Sequence, residues 1–96
     1  MPRLAWLLLL VLVAFAHPAP GASFDCAKAA TRVEKQICAD AGLSHLDEAL
    51  GNEYRAAIAH GDSSLKASQQ AWLENVRNAC TTASCLRGAY EARIDE

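Results

Sequence analysis

Strand signals are missing from this 96-residue chain: no run alternates β-branched and polar residues, so a sheet has nothing to build on. There is no glycine-rich phosphate loop and no G-x-S-x-G nucleophile turn. Basic residues are not in excess. Nine Lys and Arg stand against eleven Asp and Glu, a formal net charge of −2, without the clustered basic face that nucleic acid requires. No internal repeat and no long linker divides the chain. These absences remove nucleotide-binding enzymes, serine hydrolases of the elbow type and nucleic-acid binders.

What is present begins with an apolar run, Leu4 to Ala16, behind Arg3. A bilayer span needs about 20 apolar residues, and this run is shorter. It has the form of a secretory signal peptide, with Ala14-Phe15-Ala16 as an A-x-A cleavage signal and a second candidate cut near Gly21 or Ala22. The expectation is a signal peptide over 1–22 and one small exported domain over 23–96, periplasmic or secreted. No basic stop-transfer residues follow the run. A lipid anchor is not expected either, because Cys26 follows Phe24-Asp25 instead of a small residue. Without Arg3, the remaining eight basic and eleven acidic residues give the domain a net charge of −3.

A domain of this size buries only about 60% of its unfolded surface and needs extra staples. Four cysteines can supply them: Cys26, Cys38, Cys80 and Cys85. An even cysteine count in a short exported chain reads as a disulfide framework. Three connectivities exist. Local bridges, Cys26–Cys38 and Cys80–Cys85, add about 3 and 2 kcal/mol in the loop-entropy model, and crossed ones about 4 each. Energy does not choose between them; proximity in sequence favours the local pairs. On one unbroken helix Cys80 and Cys85 would sit about 8 Å or more apart, too far to bridge, but Thr81-Thr82-Ala83-Ser84 breaks the helix. Zinc is not expected, since Cys26 and Cys38 are too widely spaced for a second knuckle and His45 and His60 lie at opposite ends of one helix.

The rest reads as helices, giving an all-α class. Thr31-Arg32-Val33-Glu34 is a capping box, with Val33 and Ile37 on one face of a first short helix ending near Asp40-Ala41-Gly42. Ser44-His45-Leu46-Asp47 repeats the signature and predicts a second helix starting at Ser44. Its apolar stripe is Leu43, Leu46, Leu50, Tyr54, Ala57 and Ile58, and Gly61 is its C′ residue. Ser63 or Ser64 would cap a third helix with Leu65, Trp72, Val76 and Ala79 inward. A last helix carries Leu86, Tyr90 and Ile94. The short connection at Gly61 makes helices two and three an antiparallel hairpin, with short terminal helices packed on it.

No catalytic set assembles, and no cofactor is implied. All four thiols are better used as bridges than as nucleophiles. Asp47 and Glu48 are neighbours that diverge by about 100° on a helix, so they do not form a paired-carboxylate site. Asp47 reads as the third residue after a cap, and Glu34 likewise. Trp72 reads as core, Arg77 as a flank residue able to pair with a carboxylate of a neighbouring helix, and His45 and His60 as solvated.

Ser23-Phe24-Asp25-Cys26-Ala27-Lys28-Ala29, Val33-Glu34-Lys35, Ile37-Cys38-Ala39-Asp40, Leu43, Leu46-Asp47, Leu50 and Tyr54 form a pattern. Gln70-Ala71-Trp72-Leu73, Arg77-Asn78-Ala79-Cys80, Cys85-Leu86 and Tyr90-Glu91-Ala92-Arg93-Ile94 continue it. On these residues the chain resembles the LprI-like lysozyme-inhibitor family. The resemblance implies a small helical, disulfide-bonded, exported bacterial domain. It also implies a non-enzymatic role, with a protein partner and inhibition of lysozyme-type cell-wall hydrolases. The alternative is an envelope structural or interaction module without effect on lysozyme; a small hydrolase is the least favoured reading, since no convergent catalytic set assembles. The matched positions are cysteines, caps and core residues, so the resemblance transfers no partner-binding residue.

Overall fold

A computed structural model describes residues 22–96; the apolar run Leu4–Ala16 and the cut after Ala16 lie outside the described residues. The chain enters as a strap that makes a single 3-10 turn, Cys26–Lys28, where the Asp25 carboxylate accepts the Ala27 amide at 2.9 Å. Helix α1, Arg32–Ala39, follows with the expected capping box. Thr31 Oγ1 accepts the Glu34 amide at 3.1 Å, and Glu34 Oε1 accepts the Thr31 and Ala30 amides at 3.0 and 3.1 Å. These amides, that of Thr31 first, hold the Glu34 carboxyl below its usual range. Val33 and Ile37 face inward and are buried.

Helix α2, Ala41–Ala59, starts three residues before the expected position. Asp40 is the reason. It ends α1 in an extended conformation and its carboxylate accepts the Leu43 amide at 3.1 Å, so one residue closes the first helix and caps the second. Ser44 is thus no cap. It lies inside α2 and is buried, and its hydroxyl donates at 2.6 Å to the Ile37 carbonyl at the end of α1, which otherwise takes only a long bond from the Asp40 amide at 3.4 Å. At its far end α2 closes as a Schellman turn. The Gly61 amide reaches the Ile58 carbonyl, the Asp62 amide reaches that of Ala57, and Gly61 takes φ +93, where a side chain would be strained.

Helix α3, Leu65–Trp72, begins without a side-chain cap. Ser64 stands in the cap position with helical dihedrals that aim its hydroxyl elsewhere, and it donates to Asp62 instead. After Trp72 the helix widens into a π turn, Leu73–Arg77, closed by the Asn78 amide on the Leu73 carbonyl at 2.9 Å. The extra residue in that turn rotates everything beyond it. Val76 and Ala79, expected inward, are therefore exposed, Val76 by 44%. Arg77 is turned inward instead. Helix α4, Ala83–Asp95, is capped by Thr82, whose hydroxyl accepts the Cys85 amide at 3.1 Å.

The fold is all-α, with no strand among the described residues. The α2–α3 hairpin is its centre, and α2 touches each of the other helices, α4 most extensively. Ile37, Leu43, Leu86 and Tyr90 are almost completely buried between them, each contributing about 1.5–3 kcal/mol of transfer energy. Trp72 packs edge-to-face on Tyr90 with ring centroids 5.2 Å apart. Arg32 on α1 donates to the Cys80 and Thr81 carbonyls, fastening α1 to the turn before α4.

The cysteines form two pairs, one between the strap and α1 and one at the turn into α4. Cα atoms of Cys26 and Cys38 are 5.8 Å apart, and those of Cys80 and Cys85 are 5.5 Å apart, both inside bridging range. We expect non-reducing proteolysis and mass spectrometry to return linked peptides containing Cys26 with Cys38 and Cys80 with Cys85. Peptides joining the first pair to the second would contradict this geometry.

Candidate functional site

Two features of the folded domain are more than core packing: a buried polar cluster and an open groove. The cluster is built on Asp47. Its position on α2 turns it inward and leaves it 5% exposed. Oδ1 accepts the Tyr90 hydroxyl of α4 at 2.5 Å and lies 4.0 Å from Arg77 Nη1 at the π turn. Oδ2 accepts both the backbone amide and the hydroxyl of Ser23 in the strap, at 2.7 and 2.6 Å. The strap can approach because residue 51, one helical turn on, is glycine; a Cβ there would lie 2.7 Å from that of Ser23. Burial, and then the bond to Asp47, pushes the Tyr90 phenol well above the usual tyrosine value.

Asp47 was expected to belong to a helix cap, and the structure makes it an internal hub instead. Glu48 points to solvent, so the two neighbouring carboxylates do not converge. His45 and His60 are exposed on α2 and at its end. Among the described residues no group of three His, Cys, Asp or Glu is gathered closely enough to hold a metal ion. Arg77 does pair with a carboxylate of a neighbouring helix, and Trp72 is core. Sequence reasoning missed Ser23 and Tyr90 as partners of Asp47, because hydrogen bonds spanning 24 and 43 residues leave no local pattern.

The groove lies where the second half of α2, the start of α3 and the end of α4 diverge. It encloses about 410 Å³. Leu50, Tyr54, Ala57, Leu65 and Ile94 give it an apolar floor; Glu53, Ser68, Gln69, Arg93 and Glu96 give it a polar rim. Arg93 is fully engaged. It donates to Ser68 Oγ at 3.0 Å and to Gln69 Oε1 at 3.2 and 3.3 Å, and it pairs with Glu96 at 3.5 Å. Glu53 has no hydrogen-bond or ion-pair partner among the described residues. The apolar stripe of α2 was readable from sequence, but the groove was not, since it depends on how far α3 and α4 cover that stripe.

A sequence-family model described as "Lysozyme inhibitor LprI" matches residues 26–96. Proteins named "Lipoprotein LprI" from Mycobacterium bovis and Mycobacterium tuberculosis are 38% identical to the chain over 82 residues, which cover 80% of it. The chain spans 41% of the length of those relatives. No solved structure matches.

The polar cluster generates two expectations. Asp47→Ala should lower stability by about 3 kcal/mol in urea unfolding, because the Tyr90 hydroxyl and the Ser23 amide lose their acceptor. A loss below about 1 kcal/mol would show that water replaces the carboxylate at little cost. The second concerns alkali. Unfolded Tyr90 releases its proton near the ordinary value of 10.0, while the folded phenol keeps it. The stabilisation is therefore complete below pH 10 and declines as pH rises above it. Urea midpoints between pH 8 and 11.5 should fall more steeply for the parent than for Tyr90→Phe, and parallel curves would refute the assignment.

Proposed function

The chain belongs to the LprI lysozyme-inhibitor family, and from that membership we propose that it is an exported, non-enzymatic binding protein that inhibits lysozyme-type cell-wall hydrolases. The family match across residues 26–96 carries the reading. The working unit would be residues 23–96 after removal of a signal peptide over 1–22, placed in the periplasm or outside the cell. No helix among the described residues is long and apolar enough to cross a membrane.

Three properties of the fold suit such a role. A stapled helical domain with buried hubs presents a pre-ordered surface, which lowers the entropy lost on binding. A domain charge of −3 favours encounter with a basic partner. The buried ionisable groups Asp47 and Tyr90 are occupied by one another and by Ser23 and Arg77, so their chemistry is structural.

The test is a turbidity assay on bacterial cell walls with the oxidised 23–96 domain and a panel of lysozymes of the c, g and i types. Lysis should slow in proportion to inhibitor added and saturate near an equimolar ratio. Full-rate lysis by every enzyme at a hundredfold excess would refute inhibition and leave the envelope interaction module as the reading. That module predicts partners in cross-linking with unchanged lysis.

A further inference from the structure

We infer that the groove between α2, α3 and α4 is the surface that engages the partner, and that its occupant is a lysine or arginine side chain presented by a basic protein. The assignment deepens the inhibitor reading and rests on it. Its first support is the pairing of an apolar floor with an unneutralised carboxylate. Leu50, Ala57, Leu65 and Ile94 offer cover for an aliphatic stem, and Glu53 offers a counter-charge at the rim. Long cationic side chains bind in this divided way, stem on apolar surface and head on an acceptor. The half-buried ring of Tyr54 adds a π face beside Glu53 for the same charge.

The second support is the sign of the field at this end of the domain. Arg93, the one cation among the residues lining the groove, is paired with Glu96, and its donors are held by Ser68 and Gln69, with its side chain only 12% exposed. With Arg93 and Glu96 offsetting each other, a guanidinium or ammonium group meets the unpaired negative charge of Glu53. An acidic or phosphorylated occupant would meet that charge as repulsion.

The experiment compares the parent domain with Glu53→Lys, Tyr54→Ala and Glu48→Lys, by titration calorimetry and by the turbidity assay against whichever lysozyme the parent inhibits. Glu48 is on the same helix and carries the same charge, but about 140° round from Glu53 and outside the groove. Circular dichroism checks that each variant is folded; Glu53 is exposed, so its replacement leaves the core untouched. Glu53→Lys should weaken binding at least tenfold, Tyr54→Ala about fivefold, and Glu48→Lys less than twofold. Parent affinity should also fall as salt rises from 50 to 500 mM, and Glu53→Lys should flatten that dependence. If the parent inhibits and Glu53→Lys inhibits equally, or if Glu48→Lys is as damaging, the groove assignment is overturned while the inhibitor reading stands. If the parent inhibits no lysozyme, the inhibitor reading falls, and the assignment falls with it.

Discussion

A single carboxyl group joins the parts of this domain that are distant in sequence. Asp47 is carried by α2, accepts from Ser23 in the strap, accepts from Tyr90 in α4 and faces Arg77 at the π turn. Taking a carboxylate out of water costs several kcal/mol unless donors replace the lost hydration. Here three hydrogen bonds and a nearby guanidinium do so. The consequence is geometric as much as energetic. Each donor reaches Asp47 only if its own element is in register: the strap must cross at Gly51, α4 must present Tyr90, and helix α3 must gain its extra residue to swing Arg77 inward. A small apolar core would accept several arrangements of four helices. A buried carboxylate with these fixed donors accepts few, since any misplaced helix leaves it unpaired.

The local code of the chain was largely legible. Thr31 with Glu34, and Gly61, are caps whose whole mechanism lies within a few residues, and each works in the structure as its sequence context suggests; within the Thr81–Ser84 break it is Thr82 that caps α4. The faces of α1 and α4 followed from period alone, because Val33 with Ile37 and Leu86 with Tyr90 lie one turn apart. Where the pattern was ambiguous, tertiary structure decided. Both Asp40 and Ser44 can cap a helix; Asp40 takes that place because α1 ends on it, and Ser44 is then free to satisfy a carbonyl of α1. Val76 and Ala79 keep helical spacing with Trp72 but not its face, because nothing in the composition of Leu73–Arg77 announces a π turn. A one-residue change of register is invisible to a periodicity argument that assumes 3.6 residues per turn.

The staples and the hub divide the work along the chain. Cys26 lies within bridging distance of Cys38, where a bond would restrain the strap beside α1, and Cys80 within bridging distance of Cys85, where a bond would fix the turn into α4. Both bonds would constrain the segments whose donors must find Asp47. Ser23 lies three residues before the first cysteine and Tyr90 five after the last, so limiting the freedom of those segments in the unfolded chain favours the same contacts that satisfy the carboxylate. The hydrophobic core, small as it is, then has to supply only the cohesion of helices already held in place.

That arrangement also explains why a groove opens where it does. Hub and staples gather near the first half of α2, around Asp47 and Gly51. The helix runs on to Ala59, and its apolar stripe runs with it, through Tyr54, Ala57 and Ile58. Among the described residues α3 leaves at Gly61 and neither it nor α4 closes over the stripe, so these three residues are half-buried. An apolar surface of this kind persists without aggregation when a polar rim keeps it small, and Glu53, Gln69, Arg93 and Glu96 form such a rim. The buried polar contacts therefore cluster beside the first half of α2, and its apolar stripe stays partly open beside the second. Arg93 spans this opening, since its bonds to Ser68 and Gln69 hold α4 against α3 while Glu96 offsets its positive charge.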